Sequence, residues 1–473
     1  METEIDSTDP LDHLPDRREA PESSARVVWN LAWPIIALNS LQVVNSLLDA
    51  KFVSALGPAS LNASGASQSF VFLIVSLAFA LGIGATALVS RFHGAEQRED
   101  LIKASRQSTS LSLVIGICLS GIAAALIPQI SALFVDRDGP AYGEMLRYLY
   151  PLMAGIPALY VFNALASCLR AVGDTKTPMY VSGFQILIHI ILNYILIFPS
   201  REIHFLGTTM ALPGADLGIA GAGWAFAISA WVSALLYFPA SGRTVLGSTW
   251  RLQMIEGQWA KRILNISLPA SLMTIIRVTS FAVFSMALKH TAEGEAALGA
   301  MRVGISMEAI AFMPAFGYMI AASALVGQSL GMKKPDRAES LAWSATNQAV
   351  LLISAMSVIF LVFAPQFSAI FVDDPAQRAI AIDYLRIVAI TEPLFGYAMV
   401  LTGAHQGAGD TGRPTWANFI SSWLIRVPAV WFFAVYMGFG STAAWIAMSV
   451  SQAINGLMMI RLFKAGRWKG KTV

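Results

Sequence analysis

Asn39, Gln42, Asn45 and Asp49 follow one another at intervals of three, three and four residues, the spacing that sets side chains on one face of a helix. The surrounding sequence is apolar enough to lie in a bilayer, where an ionisable group is costly and marks a candidate functional site. A polar stripe there must face protein or water. His189 and Asn193, four apart, share a face of a second apolar segment. Counted back from the turn residues Gly57 and Pro199 at the helical rise, Asp49 lies about 11 Å and Asn193 about 9 Å below the same surface. The two therefore meet at matching depth, and a carboxyl beside an imidazole can exchange a proton near neutrality. Two structural readings compete: Asp49 caps its helix or pairs with Lys51, and His189 donates to a backbone carbonyl.

The second half of the chain carries a different set. Arg277 and Glu308 fall well inside apolar segments. An unpaired arginine at that depth is expensive, so the two are expected either to form a buried pair or to contact substrate directly. Glu392, next to Pro393, and Arg426 are lesser candidates. Gln42, Gln68, Gln185, Arg277, Glu308 and Met286 are assigned to a substrate cavity. Methionines 273, 286, 301, 307, 313 and 319 crowd the same region with Phe281, Phe284, Phe312 and Phe316; adaptable side chains suit a site that accepts many shapes, while ordinary packing is the competing account. Gly407-Ala408-Gly409-Asp410 spells the GxGD string of intramembrane aspartyl proteases, but no second acid, Ser/His pair or HExxH accompanies it. An enzyme is not expected, nor is a cofactor.

These residues need long helices to hold them. Hydrophobic residues make up 56% of the chain and charged ones 13%, against roughly 25% charge in soluble domains; the mean hydropathy is +0.60. Spans of about 20 residues or more fall at 27–56, 63–90, 107–128, 146–167, 178–199, 218–240, 263–288, 299–328, 343–364, 383–404, 414–436 and 440–461. The expected fold is an all-α polytopic membrane protein of twelve transmembrane helices. It is built from two parallel six-helix repeats, because the sequence contains itself twice. Thr86-Ala87-Leu88-Val89 returns as Ser323-Ala324-Leu325-Val326, and residues 128–136 (PQISALFVD) return as 365–373 (PQFSAIFVD), both at an offset of 237. Gly173-Asp174-Thr175-Lys176-Thr177-Pro178 returns as Gly409-Asp410-Thr411-Gly412-Arg413-Pro414 at 236. Repeats of this kind place a substrate path between them. The offset sets Asp49 against Met286, so the two halves are not chemically equivalent.

Lysine and arginine crowd one set of connections, with Arg91, Arg98, Lys103, Arg106, Lys333, Lys334 and Arg337 among them. This places both termini in the cytoplasm and predicts a multi-pass protein of the cell inner membrane. The net charge of +3 is that bias and not a nucleic-acid footprint. Residues 1–25 read as a disordered acidic tail, 26–243 as an N-lobe, 244–262 as a linker, 263–464 as a C-lobe and 465–473 as a basic tail; no cleavable signal is expected. Cys118 and Cys168 are expected to be buried free thiols.

Residues 49–57 (DAKFVSALG), 169–178 (LRAVGDTKTP), 193–198 (NYILIF), 218–222 (GIAGA) and 325–328 (LVGQ) resemble the multidrug and toxic compound extrusion (MATE) family, in its DinF-like prokaryotic branch. The resemblance covers about 30 to 460. It implies two six-helix lobes around a central cavity, and antiport in which a proton or Na⁺ enters while an organic compound leaves. It also implies an N-lobe site that pairs an acid on the first helix with an Asn and an Asp four apart on the fifth. Asp49 matches, but His189 stands in the Asn slot and Asn193 in the Asp slot. Na⁺ prefers several negatively charged oxygens, so losing a carboxylate and gaining an imidazole favours H⁺. The expected protein is a monomeric exporter of amphipathic organic compounds, coupled to protons at Asp49, His189, Asn193 and Asn45. The alternative is a flippase of lipid-linked sugars.

Overall fold

Pro58, Pro140, Pro335 and Pro375 each stand in the first turn of a long helix, where a missing N–H leaves no bond unmade. Gly173 and Gly409 follow helix ends with φ of 95° and 79°, in the left-handed region that glycine tolerates. With such punctuation the computed structural model, which describes residues 23–205, 208–242, 244–247 and 252–472, is a bundle of helices. Residues 1–22 of the expected tail, and 248–251 of the linker, lie outside the described residues. The N-lobe holds α1 (Ser24–Ser54), α2 (Pro58–Gly94), α3 (Arg98–Phe134), α4 (Pro140–Ala171), α5 (Lys176–Ile197) and α6 (Ile219–Ser241). The C-lobe holds α7 (Gly257–Lys289), α8 (Gly294–Gly331), α9 (Pro335–Phe371) and α10 (Pro375–Gly407), then α11 (Gly412–Tyr436) and α12 (Gly440–Lys464).

All twelve expected spans are present. Eleven are long and apolar enough to cross a membrane as they stand, and α8 does so as two segments, Gly294–Ala309 and Phe312–Gly331, inclined by 50°. Pro314 lacks the N–H that would bond one turn back, a sufficient cause for the bend. The helices overrun the expected spans: α2, α3 and α9 have 37 residues each, about 55 Å at the helical rise against a hydrocarbon core of about 30 Å. An even helix count puts the start of α1 and the end of α12 on one face, here the termini face. On the far face β1 (Pro199–Phe205) pairs antiparallel with β2 (Thr208–Ala215), so the long connection between α5 and α6 closes its own backbone bonds in a hairpin while the membrane-spanning fold is all-α as expected. α7 starts at Gly257, inside the stretch read as linker, because Trp259 and Ile263 are buried in the N-lobe core.

That burial has a mirror image. Val28 and Ala32 of α1 sit in the C-lobe core with Tyr318, Ala321, Leu325 and Leu401, so the first helix of each repeat starts inside the other lobe. Where α2 meets α8 the two halves touch reciprocally. A Cβ on Gly94 would collide with the Gln328 carbonyl, and one on Gly331 with the Arg91 carbonyl. Each pair is the other shifted by 237, as across the interface of a two-fold dimer. The hydrogen bonds repeat the pattern: Gln328 Nε2 donates to Ala171 O at 2.7 Å and Arg91 Nη2 to Ala408 O at 3.4 Å. These contacts lie on the termini half. In the far half of α1, Ser40, Gln42, Val44, Ser46 and Leu47 are exposed.

The GxGD string belongs to this architecture. Asp410 accepts from Arg413 Nη1 at 2.7 Å and lies 3.0 Å from His405 Nδ1, while its counterpart Asp174 caps the next helix through Thr177 N at 2.9 Å. Cys168 is buried as expected, but Cys118 is exposed, because the middle of α3 turns one face outward.

Two outcomes follow from this packing. Gly94→Ala overpacks a backbone contact and is expected to cost about 1–3 kcal/mol, read as a lower melting temperature in detergent; Gly121→Ala, whose added carbon meets open space, serves as the neutral control. For Asp410, burial raises the carboxyl pKa, but His405 and Arg413 outweigh it and hold the pKa below its ordinary value. A depressed pKa contributes stability that is present above about pH 4 and lost as pH falls through the lowered value. Asp410→Asn is expected to melt lower at pH 7 and to lose less than wild type on acidification below about pH 4.

Candidate functional site

The amide spacing read on α1 delivers Asp49 to α5. Asn193 Nδ2 donates to Asp49 Oδ1 at 2.6 Å and Asn45 Nδ2 to Asp49 Oδ2 at 3.2 Å. His189 Nε2 lies 3.2 Å from Oδ1 and 3.3 Å from Oδ2 of the same carboxyl, and 3.2 Å from Asn193 Nδ2. The other ring nitrogen, Nδ1, is 3.4 Å from Ser229 Oγ of α6. Ser229 in turn donates to Phe226 O at 3.0 Å and accepts from Gln185 Nε2 at 3.2 Å. The side chain of His189 is 7% exposed and that of Asp49 35%, so the carboxyl is the more accessible of the two. Among the described residues Asp49 is bonded to α5 with no bond to Lys51, and His189 contacts side chains with no bond to a backbone carbonyl.

Gln42 and Gln68 are exposed on α1 and α2. Gln185 is drawn instead into the His189 network. Ser229 was not legible in the sequence, since serine recurs along α6 and no spacing singles it out. Asn45 Oδ1 and Asn193 Oδ1 are buried without a hydrogen-bond partner; both amides turn nitrogen toward Asp49 and oxygen away.

The C-lobe corrects an expectation. Among the described residues no ion pair joins Arg277 to Glu308. Glu308 is buried beside Tyr384, with Arg426 and Glu392 nearby, and the Tyr384 hydroxyl lies next to the carboxyl without closing a hydrogen bond. Arg426 is held by Ser451, Nε to Oγ at 2.8 Å. It closes a π-helical stretch, Ile420–Arg426, one of two in α11, and such irregular turns recur at functional sites. Glu308 Oε1, both Glu392 oxygens and Tyr384 Oη are buried with no partner among the described residues. Met286 is nine residues from Arg277, two and a half turns, and so faces the opposite side of α7, in an exposed stripe with Leu272 and Ile275. Met301, Met307 and Phe284 are buried in the C-lobe core and pack there.

The MatE family model matches residues 34–195 and again 269–432, one copy for each repeat. This chain belongs to the MatE family. A probable multidrug resistance protein NorM of Thermotoga maritima is 25% identical over 464 residues, 98% of this chain and 96% of that one. The multidrug resistance protein MdtK of Proteus mirabilis is 22% identical over 439 residues, 92% and 94% of the two chains. Among solved structures, the fold matches an outward-facing multidrug resistance MATE transporter with a TM-score of 0.83 at 22% identity, covering 95% of this chain and 97% of that one. A MOP superfamily transporter from Pyrococcus furiosus matches with a TM-score of 0.83 at 21% identity and the same coverage.

With amide nitrogens aimed at Asp49, a cation would gain one carboxylate and no amide oxygen. Replacing K⁺ by Na⁺ at constant ionic strength is therefore expected to leave the melting temperature unchanged. A rise of several degrees, absent in Asp49→Asn, would mean that the Asn45 and Asn193 amides turn round to ligate sodium.

Proposed function

We propose that this protein is a secondary antiporter that exports amphipathic organic compounds in exchange for inward protons, with Asp49 and His189 as the proton-holding pair and Asn193 and Asn45 orienting them. The substrate class rests on the multidrug resistance relatives; the ion rests on proton accounting at His189. Assigning the Ser229 proton to the shorter contact, Phe226 O at 3.0 Å, leaves the 3.4 Å contact with His189 Nδ1 to be donated by the ring. A neutral ring then turns the Nε2 lone pair toward both Asp49 oxygens, which is repulsive if the carboxyl is ionised. One proton on the contact removes the conflict. Placed on Asp49 Oδ2 it is donated to the single Nε2 lone pair, while Oδ1 accepts from Asn193 Nδ2. The arrangement thus fits the loaded state of a one-proton site.

The position of α1 supports a route from proton to transport. Its first turns pack in the C-lobe, Asn39 Nδ2 donates to Met313 O of α8 at 3.3 Å, and its far half is tied to the N-lobe through Asp49. Loss of the proton sets the carboxylate against the His189 lone pair, weakens the tie between α1 and α5, and changes how one rod holds two lobes. Bilayer-depth ionisable groups in transporters act in this way, by shifting the population of two packings.

The test is dye uptake by proteoliposomes under an imposed pH gradient and, separately, an imposed Na⁺ gradient. Wild type is expected to respond to the pH gradient, and Asp49→Asn, which cannot release a proton, to fall at least about tenfold, the size expected when about 1.4 kcal/mol of coupling is lost. Undiminished transport by the variant, or transport driven by Na⁺ alone, would sink the proposal.

A further inference from the structure

Arg277 stands near the middle of α7, at bilayer depth. Much of its side chain is accessible, whereas Ile263, Ile266, Ala270 and Phe284 on the same side of α7 are buried. It projects from the side of α7 opposite the apolar stripe of Leu272, Ile275 and Met286. No hydrogen bond or ion pair to Arg277 occurs among the described residues, and the charged neighbour that acts on it is another cation, Arg426. Arg426 is bonded to Ser451 and lies within range of the Glu308 charge. Glu308 therefore serves the buried arginine and leaves the accessible one uncompensated. A guanidinium held at this depth without a counter-charge is costly. Its planar fork presents paired donors matched to a carboxylate or phosphate.

We propose that Arg277 is the recognition group for an oxyanion on the transported compound, so that this protein takes acidic or zwitterionic amphiphiles in preference to plain organic cations. Arg426 reinforces the positive field from behind and Ser451 fixes its orientation. The oxyanion is a carboxylate on a small organic molecule rather than a lipid headgroup, since one accessible arginine matches one compact acid. The inference rests on the export reading, and deepens it by naming what the C-lobe wall selects.

The experiment is equilibrium binding to purified protein in phosphatidylcholine nanodiscs, with no gradient imposed. The probes are rhodamine 110, which carries a free carboxylate, and rhodamine 123, its methyl ester. Wild type is expected to bind the acid roughly tenfold more tightly than the ester, the size of one charge-assisted contact. Arg277→Gln is expected to lose that difference, and Arg277→Lys to keep part of it. Equal binding of the two dyes by wild type, binding of neither, or equal weakening of both in Arg277→Gln would overturn the proposal. The comparison of dyes on wild type needs no variant to fold. Repeating it in phosphatidylglycerol nanodiscs separates the two sources of oxyanion. If anionic lipid abolishes the acid's advantage in wild type and leaves Arg277→Gln unchanged, the site belongs to a lipid phosphate and the assignment to a small organic acid fails. Because binding is read without a gradient, a preserved acid preference alongside absent proton-driven transport would count against antiport alone.

Discussion

The reciprocal contact of α2 with α8 is the constraint on which the other features depend. Two helix backbones approach within a glycine's radius at Gly94 and Gly331, and each carries the donor, Arg91 or Gln328, that satisfies a carbonyl at the end of a helix in the opposite lobe. Close packing of this kind is how helices adhere in lipid, where apolar burial drives little association. It fixes the lobes against one another on the termini face and leaves the far halves free to part. The exchange of α1 and α7 between cores makes the junction deeper than a surface contact. A motion of the lobes cannot leave these two helices unaffected.

Within that frame the polar groups are distributed unequally. The N-lobe concentrates one carboxyl, one imidazole and three amides into a connected network. The C-lobe interior holds Arg426 and two glutamates whose oxygens are largely unmatched within the protein, next to a helix wound partly in π turns. Both lobes thus keep buried polar atoms without a partner among the described residues, Asn45 Oδ1 and Asn193 Oδ1 in one and the Glu308, Glu392 and Tyr384 oxygens in the other.

Much of this was legible in the sequence because it rests on periodicity. The spacing of Asn39, Asn45 and Asp49, and of His189 and Asn193, determines which side chains share a face, and counting from Gly57 and Pro199 determined depth; those two quantities were enough to bring Asp49 and Asn193 together. The repeats followed from short identical strings, and the family from their order. Contacts that depend on how far helices approach and rotate were not legible. Glu308 turns to Tyr384 and Arg426 instead of Arg277 because α8 bends and α11 changes its winding, and neither deviation leaves a pattern at helical spacing. Met286 shows the limit from the other side: its type suited a cavity, but nine residues of ordinary helix carry it to the face opposite Arg277. The hairpin between α5 and α6 has no counterpart in the other half, and neither it nor Ser229 has a signature of its own.

Fusing the two halves into one polypeptide has a consequence for charge. A dimer of identical six-helix subunits would have to place an aspartate at both equivalent positions, or an arginine at both, and would present like charge to like across its axis. In a single chain the positions of Asp49 and Met286, and of Ser40 and Arg277, are written independently. Duplication supplied two matching scaffolds, and covalent linkage freed them to drift apart in polarity while the glycine contact that joins them stayed symmetric.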